Sequence, residues 1–115
     1  MSMLAELNAI FESLEIPVET GEFSSEPPAY YVVLTPMIDD FAVYADNKPQ
    51  AETQEIRISL FNYGNFLERK EAIVAALLDK VFTITLRQYI GFDKESGYHT
   101  YTIDVMKEFD LEKED

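Results

Sequence analysis

The chain reads as an α+β domain: a mainly antiparallel β-sheet with two helices packed on it, in the order α-β-β-β-α-β-β. Three observations carry that expectation. Apolar residues recur at helical spacing in two separate stretches, Leu4 to Leu14 and Phe66 to Leu78. Polar and apolar residues alternate strictly through Glu55-Ile56-Arg57-Ile58-Ser59-Leu60, and again on both sides of Asp93 to Gly97. Strand-like runs follow one another directly, as antiparallel neighbours do.

The first helix spans roughly Met3 to Leu14. Leu4, Leu7, Phe11 and Leu14 form its apolar stripe with Ile10 beside them, Ser2 can cap it, and Pro17 stops it. Ile16 to Phe23 is short and mixed and can add an edge strand, with Gly21 as a turn. Ser24 to Pro28 is loop by composition. Tyr30 to Thr35 is a β-branched and aromatic run, expected to end at Pro36. Phe41 to Ala45 makes another strand, and Asp46-Asn47-Lys48-Pro49 has turn chemistry. The alternation of Glu55 to Leu60 then puts Ile56, Ile58 and Leu60 on a core face and leaves Glu55, Arg57 and Ser59 towards water. Asn65 and Glu68 have capping-box spacing for a second helix over Phe66 to Leu78. Its stripes, Phe66/Ile73/Leu77 and Leu67/Val74/Leu78, together make a face wide enough to cover a sheet. Phe82 to Phe92 and Tyr98 to Val105 form a closing hairpin around Asp93 to Gly97. Residues 1–108 are expected to be one domain, and 109–115 an acidic, flexible tail.

The bulk composition narrows the function. With 115 residues and 47% hydrophobic content, the chain can bury one core. The balance of 22 acidic against 9 basic residues gives a net charge of −13, the wrong sign for sequence-specific nucleic-acid binding or for an anionic membrane. There is no cysteine, which removes disulfides, thiolate metal sites and thiol nucleophiles. No apolar run approaches the ~18 residues of a membrane helix, and the N-terminus lacks signal-peptide character. A soluble intracellular product is the expectation.

No constellation for chemistry emerges. His99 is the single histidine, near the last turn and on the face of Tyr101, and is expected to be structural or solvated. Asp39, Asp40 and Asp46 do not follow a calcium-loop pattern. The serines lack a nucleophile elbow, and the four glycines are scattered singly rather than grouped around a phosphate. The chain is therefore not expected to be an enzyme or to need a cofactor or metal. Tyr30/Tyr31 and the group Tyr89, Phe92, Tyr98 and Tyr101 are aromatic enough for a binding surface, although cross-strand packing within one subunit accounts for the second group better.

Five segments carry a resemblance. They are Leu4 to Asn8 with Ile16 to Gly21; Tyr31 to Pro36; Ala45 to Gln50; Gln54 to Phe61; and Arg87 to Gly91 with Gly97 to Tyr101. Together they resemble the tail terminators (tail-completion, tail-to-head joining proteins) of long-tailed bacteriophages and of prophages in Gram-positive hosts, across nearly the whole chain. The resemblance implies an α+β fold and assembly as a homo-hexameric ring. The ring caps the tail tube, contacts the tail tube protein and docks to the head-closure or connector protein. It implies assembly in the host cytoplasm, then residence in the virion, with a free subunit that can be monomeric and no catalytic residues. The loop corresponding to Met37 to Thr53 tends in such proteins to contact a neighbouring subunit. Asp46, Asn47, Lys48, Pro49 and Gln50, with the polar strand face of Glu55 and Arg57, are accordingly the candidate subunit contacts. An acidic DNA-mimicking or inhibitory module, or another head-tail connector or minor tail component, are the alternatives.

Overall fold

A computed structural model of the chain describes residues 2–22, 26, 28–45 and 48–110. Two helices and a five-stranded, mostly antiparallel sheet follow in the predicted order. They are α1 (Met3–Ser13), β1 (Val18–Thr20), β2 (Tyr30–Ala45), β3 (Lys48–Tyr63), α2 (Leu67–Asp79), β4 (Thr83–Phe92) and β5 (Tyr98–Asp110). The spatial order is β1-β2-β3-β5-β4, with β1 parallel to β2 and every other pair antiparallel.

The central strand β3 does what its alternation demands. Ile56, Ile58 and Leu60 are buried and meet matching apolar residues on both neighbours. Leu34, Ile58 and Ile103 form one cross-strand row; Val32, Leu60 and Tyr101 form the next. Cross-strand partners share a face, so these rows make one apolar layer. Met3, Leu7, Ile10 and Phe11 of α1 close over it, together with Ile73 and Leu77 of α2.

Both helices end in the same way, without glycine. The N–H of Glu15 donates to the Glu12 carbonyl and that of Ile16 to the Phe11 carbonyl; Val81 and Phe82 repeat this with Leu78 and Leu77. These are Schellman closures, and the apolar contact that accompanies them falls on buried pairs, Phe11 with Ile16 and Leu77 with Phe82. The closure requires a left-handed residue, here Glu15 at φ 60° and Val81 at φ 65°. For a β-branched side chain that conformation is strained. At the front of α2, Asn65 accepts the Leu67 N–H at 3.0 Å, but the return bond of a capping box from Glu68 is not formed.

The structure departs from expectation in four places. Pro36 does not end its strand. A bulge at Met37, between the pairs Pro36↔Ile56 and Ile38↔Glu55, absorbs it, and β2 runs on to Ala45. This works because Pro36 lies beyond the reach of β1, so its missing N–H costs no ladder bond on that side. The runs Tyr30 to Thr35 and Phe41 to Ala45 are thus one strand, and the third strand of the first group is the short edge β1. Second, Met37 to Thr53 is not a loop between strands but the distal half of the β2–β3 hairpin, paired as far as Ala45↔Lys48. The molecule is accordingly drawn out to 54 × 25 × 24 Å. Third, β5 continues past Val105 to Asp110, with Phe109 buried opposite Glu52, so residues 109 and 110 belong to the sheet rather than to a tail. Residues 111–115 lie outside the described residues. Fourth, the second stripe of α2 is not spent on the sheet: Leu67 and Leu78 are 49% and 59% exposed.

Two substitutions test this account in a denaturant titration. Ile58→Ala opens a cavity at the centre of the sheet and should cost about 3 kcal/mol. Val81→Gly removes the strain at the end of α2 and should stabilise the chain by about 1 kcal/mol.

Candidate functional site

The helices cover one face of the sheet, and among the described residues neither helix covers the other. Residues alternating with the core positions of β2, β3 and β5 point to that outer face. At one end it is aromatic. Tyr31 stacks on its cross-strand partner Phe61 at 4.8 Å, Tyr63 stacks on its partner Tyr98 at 4.3 Å, and Tyr31 meets Tyr98 edge-on at 5.4 Å. Tyr98 is buried and its hydroxyl donates to the Pro28 carbonyl. Burial first, then the hydrogen bond and charge of Tyr63, push its phenol up to about 12. Burial likewise raises Tyr31, with a smaller contribution from Tyr63. Beside this cluster lies an open groove of about 400 Å³, bounded by Gly21, Glu22, Tyr31, Val33, Thr35, Ser59 and Phe61.

Midway along the face, Arg57 grips Asp104 on the facing strand through two bonds, Nε to Oδ1 at 2.8 Å and Nη2 to Oδ2 at 3.0 Å. Asp104 is buried at 4% exposure, so a carboxylate sits inside the β-layer and depends on this guanidinium. The same contact, led by the hydrogen bond, holds Arg57 above its ordinary value.

The expected site residues separate. Asp46 and Asn47 lie outside the described residues. Lys48, Pro49 and Gln50 begin β3 at the far end of the hairpin, where Lys48 pairs with Ala45 and Pro49 with Tyr44. Glu55 and Arg57 share the outer face, as the alternation implies, but nearer the middle of the sheet. Arg57 pairs with Asp104 within the chain. The pairing was invisible in the sequence because its partner lies 47 residues away.

The aromatic groups also separate by face. Tyr98 joins Tyr31 on the outside. Tyr89, His99 and Tyr101 lie on the helix side around Phe66, which stacks on Tyr89 at 5.3 Å. His99 accepts or donates to the Tyr89 hydroxyl through Nδ1 at 2.9 Å, and Phe92 packs on its ring at 4.8 Å. Tyr30 lies under Arg69, whose guanidinium sits 3.6 Å from the ring centre and bonds the buried Asn62 at 2.6 Å. A second hollow of about 370 Å³ opens beside Arg69, between the end of α1 and α2.

Among the described residues, no group of three or more His, Asp or Glu side chains is placed to hold a metal ion, and no helix is long and apolar enough to cross a membrane. What the described surface offers is contact: an open sheet face, a projecting hairpin and a free strand edge. No protein-family model matches this chain, and no curated protein matches it.

Removing Arg57 leaves the Asp104 charge without its partner. Arg57→Met should lower the denaturation midpoint, and adding Asp104→Leu should recover most of the loss, because an apolar pair replaces a broken ionic one. The raised phenol of Tyr98 sets an alkaline limit. Above pH 10 the unfolded chain ionises this tyrosine while the folded chain keeps the proton, so stability falls from about pH 10 to about pH 12. Ultraviolet difference titration with parallel melts should show that fall, and Tyr98→Phe should flatten it.

Proposed function

We propose that this chain is a virion structural protein, a tail terminator that caps a phage tail tube as a hexameric ring and docks to the head connector. The observation that carries the reading is the long β2–β3 hairpin, which takes strand pairing well beyond the region covered by the helices. Its paired length, as far as Ala45↔Lys48, makes sense as a reach towards another molecule. The α+β order matches the fold that the resemblance implies. The net charge of −13 supports a second part of the role: six copies lining a channel with acid would let DNA pass without adhering. The outer face supports assembly over duplex mimicry, since its aromatic end and its paired Asp104 do not form the rows of free carboxylate that mimicry needs.

Polymerising tail tube protein with and without this chain, and measuring tube lengths by negative-stain microscopy, tests the reading. Capped, shorter tubes bearing a ring at one end are expected; an unchanged length distribution sinks it. Deleting Asp46 to Gln50 removes only the tip of the hairpin and leaves the pairs from Ala42↔Ala51 inward. That variant should keep its cooperative melt and lose capping. Loss of the melt would show instead that the tip is needed to fold.

A further inference from the structure

The sheet has two unfinished edges with opposite character. The first is β4, the outermost strand, whose far side has no neighbour among the described residues. The run from Lys80 to Phe92 contains no Asp or Glu, although the chain has 22. It carries Arg87, which has no partner among the described residues. It also exposes Val81 at 79%, Ile90 at 55% and Phe92 at 51%. Natural sheets usually protect such an edge with charge or cover. Here the apolar residues stay exposed, and Val81 is kept exposed at a φ of 65° that glycine would adopt freely. Strain retained at an exposed apolar position points to a use for that side chain.

The second edge belongs to β2. The short β1 pairs only with Val32 to Leu34, so among the described residues β2 from Pro36 to Ala45 is open on its outer side. This edge exposes Met37 at 42% and Ile38 at 52%, and it carries Asp39 and Asp40. One edge is apolar with a cation and no acid; the other is apolar with acids.

We infer that the two edges pair head to tail, β4 of one copy of this chain against the distal half of β2 of the next. The geometry allows it. Within the sheet β4 runs opposite to β2, so a neighbour placed in the same orientation meets β4 with an antiparallel strand. Arg87 shares the helix-side face with Ile103, and Asp39 shares it with Gln54, whose side chain bonds α1. A register that sets Arg87 opposite Asp39 therefore puts their side chains on one face. The same register places Gln88 against Ile38 and Tyr89 against Met37. Because the paired surfaces differ, the contact is heterologous and repeats from copy to copy, closing into a ring or continuing as a filament. β4 pairing with β4 of a second copy would bring two Arg87 side chains close together and leave the acidic β2 edge unused. The assignment deepens the ring reading and rests on its claim that the chain associates with itself.

The chain lacks cysteine, so single thiols report the contact cleanly. Ile38→Cys and Gln88→Cys are purified separately, checked for the parental melt, and treated at millimolar concentration with a short bis-maleimide. A covalent dimer should form when the two are mixed and not in either alone. Arg87→Glu or Asp39→Lys added to both cysteine variants should cut the yield several-fold, and the two reversals together should restore it. A cross-link in Gln88→Cys alone, or none in the mixture, overturns the pairing. Larger species by sedimentation without the link between positions 38 and 88 overturn this assignment and leave the ring reading standing. Unchanged tube lengths in the capping assay overturn the ring reading even where the link forms.

Discussion

Everything in this fold leans on the register of β3. It is the middle strand of the five, paired along nearly its whole length with β2 on one side and β5 on the other, and its aliphatic residues supply the middle of each apolar row. A slip by one residue would carry Glu55 and Arg57 under the helices and put Ile56, Ile58 and Leu60 into water. The helices have no other surface to cover, and β4 reaches the sheet only through β5. The hairpin inherits the same constraint, because the distal half of β2 pairs with the first residues of β3.

The sheet thus has a closed side and an open side, and polar chemistry is distributed accordingly. On the closed side polar groups are few and tied to the helices: Gln54 accepts the first amide of α1, Lys107 pairs with Glu6 at 2.7 Å, and Asn62 is held by Arg69. The open side carries the Arg57–Asp104 pair and the stacked tyrosines, which order it without another layer above. The edge strand β4 and the turn that leads into it carry no Asp or Glu.

Much of this was legible beforehand, for a definite reason. The helices, the alternation of Glu55 to Leu60 and the last hairpin follow from periodicities of neighbouring residues. Errors fell where a distant partner decided the outcome. Pro36 looked like a stop, but at an open edge next to a bulge it breaks no pairing. The ends of both helices gave no glycine signal, because Glu15 and Val81 take the left-handed position and buried contacts hold them there. Leu67 and Leu78 fitted the apolar face of α2 by spacing, yet both stay exposed. Tyr98 and Tyr101 looked like one aromatic group, and the strand's own alternation set them on opposite faces. Of the candidate contact residues, Glu55 and Arg57 lie on the outer face, as their alternation implied. Arg57 answers a buried aspartate across the sheet, which no local pattern reveals.

By itself the sequence determined the fold class, the order of the elements, the inner face of the central strand and a net charge of −13. Those follow from spacing, composition and charge, each a property of the chain wherever it folds. Tertiary structure decided that two predicted strands are one long arm, that Asp104 is buried and needs Arg57, and that two edges of opposite character remain open. Edges and buried partners exist only once strands have chosen neighbours, and that choice is made by the packing of the whole sheet.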